Sequence, residues 1–406
     1  MSIYEIERLG HQGDGIAAGP VFAPRTLPGE HVTGQLAGDR LSDIRIVEPS
    51  AERVAAPCRH YKSCGGCHLQ HASDGFVETW KADVVRHALK AQGLEAPIRG
   101  VHTSPPQSRR RATFSARRTK KAALSGFHAR ASDVVIEVPG CLLVQPDVLR
   151  GREIAEELVQ VGGSRKGELR VTVTSSEIGL DLAVEGGKPL DAALRMDLGQ
   201  ITQRVGIARL TWDDETVAMQ SPPTQPMGRA HVAPPPGAFL QATPQGEAAL
   251  LAAVREAVGP AGRIVDLFAG CGTFSLPLAE RAEVHAVETA APMLEALNGG
   301  WRYAHGLRKV TTEVRDLFRD PLVASELAAF GAAVIDPPRA GAESQTRELA
   351  QAGVPRVAAV SCNPGTFARD ARILTEAGYS LDWIVVVDQF RWSPHVELAA
   401  AFSRPV

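Results

Sequence analysis

Apolar and polar positions in the C-terminal part of the chain follow two alternating rhythms. Short apolar runs at Arg263–Phe268, Glu283–Val287, Lys309–Val314, Ala332–Ile335, Val357–Val360, Leu381–Asp388 and Val396–Ala401 read as strands. Thr289–Ala304 and Thr366–Ala377 have helical spacing between them, and Gly246–Val258 precedes the first strand as a helix. Seven strands alternating with helices predict an α/β fold with a doubly wound sheet. Ala332–Ile335 and Val357–Val360 are apolar throughout, as parallel strands covered on both faces are. Asp336 and Cys362 follow their C-terminal ends, the side on which open α/β sheets bind ligands.

Upstream the rhythm changes twice. Residues 1–48 carry GHQGDGIAAGPVFAPRTLPGEHV, glycine-punctuated short strands of a small β-barrel type, running into a segment with few basic residues. Residues 49–230 form a β-rich middle region that includes Glu168–Val184 and a helix over Phe76–Gln92. Ser221–Phe239 is proline-rich and aperiodic, which reads as a crossing segment. The expected division is therefore a short or degenerate β domain at 1–48, a central domain at 49–230 and the α/β domain at 231–406.

With 406 residues and 44% hydrophobic content, two or three domains can each bury a core. No apolar run reaches bilayer length and the N-terminus has no basic lead into an apolar segment, so a cytoplasmic protein with no membrane association is expected. Six cysteines do not make a disulfide scaffold in a chain this long; clustered, they point to metal. The net charge of −2 argues against nucleic acid spread over the whole surface. One segment, RRRATFSARRTKK, reverses that locally: Arg109, Arg110, Arg111, Arg117, Arg118, Lys120 and Lys121 stand together with no acid among them. The alternation in ATFSA suggests a strand that sets these charges along an edge or face, able to follow a phosphate backbone.

Two constellations carry candidate chemistry. In VDLFAGCGTF, Asp266 ends a strand while Gly270 and Gly272 let the backbone turn tightly against a ligand; Glu288 ends the next strand, where a carboxylate can accept from both hydroxyls of a ribose. A nicotinamide dinucleotide and S-adenosylmethionine both contain that ribose. The third glycine of the dinucleotide fingerprint is missing, which favours the ligand without a pyrophosphate. In CRHYKSCGGCHLQH, Cys58, Cys64 and Cys67 can converge from one loop, with Cys141 as a distant fourth, and four thiolates suit either zinc or an iron-sulfur cluster.

These motifs, with FLQAT at 239–243, DPPRAG at 336–341, SCNPGTFARD at 361–370 and HVE at 395–397, resemble the RNA 5-methyluridine methyltransferase family along nearly the whole chain. GDGIA and LPGEHV resemble the small RNA-binding barrel called TRAM. The resemblance implies a class I S-adenosylmethionine-dependent methyltransferase domain and a [4Fe-4S] cluster at Cys58, Cys64, Cys67 and Cys141. Its RNA would be structured with an accessible loop uridine, ribosomal (23S) in preference to transfer RNA, and no obligate protein partner is indicated. Thr243 departs from the family's FxQxN pattern, which places asparagine there.

Chemistry independently singles out Cys362. Carbon 5 of uracil is a weak nucleophile until a thiolate adds at carbon 6, so Cys362 is expected as covalent catalyst. The resemblance implies that Glu397 takes the carbon 5 proton and that Phe239 helps position the base, with Asp336 a candidate beside it. It also implies Gln241, Asp266, Phe268, Gly270, Gly272, Glu288 and Asp316 around the cofactor, with Asp336 a candidate there too, and Cys271 reads as packing. An amino-group methyltransferase is the alternative; it would not need Cys362. A nicotinamide oxidoreductase and a noncatalytic RNA-binding scaffold complete the alternatives.

Overall fold

The computed structural model describes residues 2–120 and 122–404. At the N-terminus, strands Tyr4–Leu9, Gly15–Ala17, Val21–Ala23, Arg40–Glu48 and His31–Ala37 close, in that order, into a barrel. Closure comes where Tyr4 pairs with Val32 and Glu5 with His31. Ile6, Ala17, Val21, Ala23, Val32 and Leu41 fill the interior. The sequence predicts a short or degenerate domain; it is not degenerate, since its strands close a complete barrel. Small residues make a core this narrow sufficient, and the long Arg40–Glu48 strand zips along His31–Ala37 to complete it. Asp14 ties the barrel to the middle domain, accepting Arg40 at 2.5 Å and Arg130 at 2.8 Å.

The middle domain is a seven-stranded sheet in the order Glu215–Met219, Arg209–Trp212, Gly179–Glu185, Glu168–Ser176, Arg111–Arg118, Ala123–His128, Val135–Ile136. Helices Pro146–Gly162 and Ala192–Val205 pack on it over Phe114, Leu158, Val171 and Trp212. The basic strand Arg111–Arg118 lies inside the sheet, hydrogen-bonded on both sides. The sequence pattern allowed an edge; instead both neighbours pair with it, and Ala112, Phe114 and Ala116 are buried in the core beneath the helices.

The C-terminal sheet contains all seven expected strands. Its order is Val310–Val314, Glu283–Glu288, Arg263–Leu267, Ala332–Ile335, Arg356–Ser361, Glu397–Ser403, Ser380–Asp388, and then an eighth strand, Ile98–Thr103. Glu397–Ser403 runs antiparallel between its two neighbours, which brings its first residue to the end where the parallel strands finish. The eighth strand pairs in parallel with Ser380–Asp388, and helix Asp74–Ala91 adds Val85 and Leu89 to the core on this face. Residues 74–103 thus belong with the C-terminal sheet, which corrects the 49–230 boundary: an exposed sheet edge and an apolar helix face are satisfied together by this return of the chain. Within the proline-rich segment, Gln225–Met227 and Ala230–Val232 form a hairpin that also packs on this core. Among the described residues no helix is long and apolar enough to cross a membrane.

Candidate active site

Loops at the C-terminal ends of the parallel strands, capped by loops from the middle domain, enclose a cavity of about 800 Å³. Cys362, Glu397, Asp336, Gln241 and Phe239 line one part of it; Phe268, Gly270, Glu288 and Asp316 line another. Phe239 is 62% exposed, so it is a cavity wall rather than core. Asp266 and Gly272 do not reach the surface of the cavity. Each supports it from behind.

The loop after Leu267 is wound tightly, with φ of +62° at Phe268, +55° at Gly270 and +93° at Gly272. A Cβ at Gly272 would lie 2.8 Å from Leu297, so glycine there serves close packing against helix Ala291–Tyr303. The Gly270 amide donates to Glu288 Oε2 at 3.0 Å, while Glu288 Oε1 accepts from the Thr289 and Ala290 amides. The carboxylate is thereby held at the strand end with lone pairs left over for a ligand. Asp266 is fully buried and accepts from Ser275 Oγ at 2.6 Å; burial pushes its carboxyl up to about 7. Phe268 and Phe318, with ring centres 5.4 Å apart, make an aromatic wall beside Asp316. Cys271 is buried 3.2 Å from Met293 Sδ, the packing role expected of it.

Cys362 stands in the turn between strand Arg356–Ser361 and helix Pro364–Glu376. Asn363 caps that helix by accepting from the Gly365 amide at 3.0 Å and also donates to the Arg339 carbonyl at 2.9 Å, which fastens the Cys362 and Asp336 loops to each other. Burial raises the Cys362 pKa; Glu397 and Asp336 raise it further, and Arg339 opposes them. Glu397 is 3% exposed. Burial pushes its carboxyl up to about 7 against a hydrogen bond from Gln389, and burial followed by Glu397 and Asp266 raises Asp336. Three acidic groups facing one cavity therefore hold protons near neutral pH more readily than free side chains do. His395 is kept neutral, pushed down to about 4 by desolvation and by Arg339, which donates to its Nδ1 at 2.6 Å. It orients the Arg339 loop.

Several contributors escaped the sequence reading. Gln389, 1% exposed, joins Gln241 and Glu397 through its side-chain amide. Its only sequence signal is a polar residue directly after the apolar run VVVD. Phe390, Arg339, Arg391 and Ser393 also line the cavity. Thr243, at the family's asparagine position, caps helix Pro244–Val258 by accepting from the Gly246 amide at 2.9 Å and pairs with Ser104 Oγ at 2.7 Å.

The basic segment divides on folding. Arg109 enters the cavity wall, 5.7 Å from the Phe390 ring. Arg110 is 4% exposed, pairs with Glu247 and donates to the Gln241 carbonyl at 2.9 Å, which removes it from the candidate RNA contacts. Its backbone N–H donates to the Ala242 carbonyl at 3.0 Å, which holds it against the C-terminal domain. Arg111 donates to the Gly237 carbonyl at 2.8 Å and Arg117 pairs with Glu168 at 2.6 Å. Arg118 is half-buried and Lys120 exposed. Lys121 lies outside the described residues.

Cys58, Cys64, Cys67 and Cys141 line one small cavity together, all as free thiols. The Gly66 and Leu143 amides donate to the sulfurs of Cys64 and Cys141 at 3.4 Å. Burial pushes the Cys67 thiol up to about 12. Among the described residues, no three His, Cys, Asp or Glu side chains close to the spacing of a single-ion site. The same loop sends Gly65, Gly66 and His68 into the wall of the large cavity.

The tRNA (Uracil-5-)-methyltransferase family model matches residues 302–404, the stretch that carries Asp336, Cys362 and Glu397. An uncharacterized RNA methyltransferase of Rhizobium meliloti (strain 1021) is 44% identical over 98% of both chains. The 23S rRNA (uracil(1939)-C(5))-methyltransferase of Halomonas elongata is 33% identical over 98% of this chain and 89% of that protein. The crystal structure of Pyrococcus abyssi tRNA (uracil-54, C5)-methyltransferase in complex with S-adenosyl-L-homocysteine shares the fold, with a TM-score of 0.76 at 21% identity over 99% of this chain and 100% of that one. With relatives of this identity aligned along nearly its whole length, the chain belongs to the RNA 5-methyluridine methyltransferase family.

Proposed function

We propose that this protein methylates carbon 5 of a uridine in RNA, with 23S ribosomal RNA the favoured substrate. The observation that carries the reading is the meeting of Cys362, Glu397 and Asp336 in the same cavity as Phe268, Gly270 and Glu288. S-adenosylmethionine, when bound, supplies an electrophilic methyl group; Gln241, Glu288, Gly270, Phe268, Asp316 and Asp336 form its side of the cavity, with Asp266 and Gly272 bracing the loop.

The Cys362 thiolate adds to carbon 6 of the ring, forming a carbon–sulfur bond and moving the ring's electron pair toward carbon 5. Once carbon 5 carries the new methyl group, its hydrogen is acidic. Glu397 takes that proton, the ring double bond re-forms, and the bond to Cys362 breaks with return of the thiolate. A Glu397 carboxyl poised at about 7 is suited to accept a proton at neutral pH and release it again. Phe239, which is exposed, and Phe390, half-buried in the cavity wall, are the aromatic side chains against which an extruded base would stack. Arg109, Arg118 and Lys120 are the candidate phosphate contacts, with Arg111 and Arg117 beside them and Lys121 proposed from sequence alone. The N-terminal barrel frames the entrance.

Cys58, Cys64, Cys67 and Cys141 line one cavity as free thiols, the donor set that would hold a [4Fe-4S] cluster. Amide hydrogen bonds to sulfur add to that fit. Uracil methylation by this route has no net electron transfer, so the cluster braces the middle domain.

Preference for ribosomal RNA rests on the name of the Halomonas relative; a transfer RNA target is the second reading. Mass-spectrometric mapping of ribosomal and transfer RNA after deletion and restoration of the gene tests both. A 5-methyluridine lost from 23S RNA and restored with the gene is expected. Loss from transfer RNA alone would move the substrate, and no loss from either would overturn the reading.

A further inference from the structure

We infer that Gln389 is a positioning residue for the reaction, fixing the orientation of Gln241 and holding Glu397 in place as the base. The inference rests on the uracil-C5 reading and assigns a role within it.

The hydrogen bonds determine which way each amide faces. The Ala242 backbone N–H lies 2.7 Å from Gln389 and can only donate, so it must meet Oε1. Gln389 Nε2 then faces away from that amide, with two hydrogens for two acceptors: Gln241 Oε1 at 2.6 Å and Glu397 Oε2. Gln241 must therefore offer its oxygen to Gln389, which turns its own Nε2 toward Asp336 Oδ2, 3.4 Å away at the cavity wall. One buried side chain thus sets a donor into the cavity and restrains the base across from it.

The place this carboxamide occupies explains a departure in the sequence. Thr243 stands where the family pattern has asparagine, and its hydroxyl is spent on the helix cap and on Ser104. Gln389 sits against the same spot: a Cβ built on Gly246 would come within 2.6 Å of the Gln389 side chain and 2.9 Å of Thr243 Oγ1. The amide missing at 243 is supplied from the loop that leads into Glu397.

A packing role and a positioning role diverge in what they do to the proton-removal step. Glu397 shares the cavity with Asp336, Cys362, Arg339 and His395, and the neighbouring strand ends in Asp388, paired with Lys81; Gln389 is the neutral donor on the Glu397 carboxylate. Removing the donor destabilises the ionised form of Glu397 and moves its titration upward.

The test compares the full-length wild-type protein with Gln389→Leu on a uridine-containing RNA fragment. It follows methyl transfer in a single turnover, RNA–protein adduct surviving denaturation, and turnover against pH. Expected for the variant are turnover about tenfold slower, the effect of losing one hydrogen bond to a charged group, accumulation of methylated adduct, and a higher pH midpoint. A wild-type midpoint with no adduct, whether turnover is normal or reduced, would overturn the positioning role. Gln389→Met, which fills the site without a donor, carries the same readouts if the leucine variant does not fold. Wild-type protein that forms no 5-methyluridine would instead remove the underlying reading.

Discussion

The Lys81 ammonium lies 2.6 Å from the Asp388 carboxylate, with neither side chain more than 1% exposed. Lys81 also donates to the carbonyls of His395 at 2.9 Å and Phe390 at 3.4 Å, so one cation from helix Asp74–Ala91 gathers both ends of the loop that leads into Glu397. Lys81→Met leaves a buried carboxylate without its partner and should cost about 3–5 kcal/mol of stability. Lys81→Met combined with Asp388→Asn should recover most of it. Chemical denaturation of both variants checks this; a double variant no better than the single one would show that the contacts to the loop carbonyls, rather than the charge pair, dominate.

Arg110 and its neighbours separate folding from RNA binding. Arg110→Met unpairs the half-buried Glu247 and should lower the thermal midpoint while leaving the salt dependence of RNA affinity unchanged. Arg118→Ala and Lys120→Ala should each reduce the slope of log affinity against log salt by about one, with little change in stability. A reduced slope for the Arg110 variant would return that residue to the RNA path.

That division shows where the sequence was legible. The seven strands of the C-terminal sheet were readable because each is a short stretch rich in β-branched or apolar residues set between helical segments, and the positions of Asp336 and Cys362 follow from strand polarity. Arg110 was not readable: adjacent arginines look alike in sequence, and only contacts distant along the chain, with the Gln241 carbonyl and Glu247, draw this one inward. The return of Ile98–Thr103 to the far edge of the C-terminal sheet is a contact across almost three hundred positions, which no local period encodes. Barrel closure was missed for a related reason. Its core is six residues, Ile6, Ala17, Val21, Ala23, Val32 and Leu41, scattered over a glycine-punctuated segment that does not advertise them. Gln389 carried no motif at all; its role exists only where three chain segments meet.

The buried carboxyls give stability and activity opposite pH dependences. Asp266 and Glu397 titrate near 7 in the folded protein, above their values in an unfolded chain. The folded state therefore binds more protons than the unfolded state between roughly pH 4.5 and 7, and their contribution to stability is full below that window and declines as pH rises through it. Turnover should rise over the upper part of the same range as Glu397 ionises. Glu397→Gln should flatten the stability profile, measured by thermal midpoints from pH 5 to 8; an unchanged profile would mean that Glu397 is ionised throughout.

Protein purified without oxygen should contain about four irons and four acid-labile sulfides per chain. Cys67→Ser should lower iron content and thermal stability together, because the loop carrying Cys58, Cys64 and Cys67 would lose its tether to Cys141 and also forms part of the cavity wall. Stoichiometric zinc without iron in anaerobic preparations would replace the cluster assignment.

The covalent role of Cys362 is the centre of the account, and RNA carrying 5-fluorouridine tests it most directly. Fluorine at carbon 5 cannot leave as a proton, so the methylated adduct should persist through denaturation. Digestion with trypsin should then place the modified nucleotide on the peptide from Val357 to Arg369, which contains Cys362, and Cys362→Ala should give no adduct and no 5-methyluridine. An adduct on any other residue, or methylation undiminished in the Cys362→Ala protein, would contradict the account.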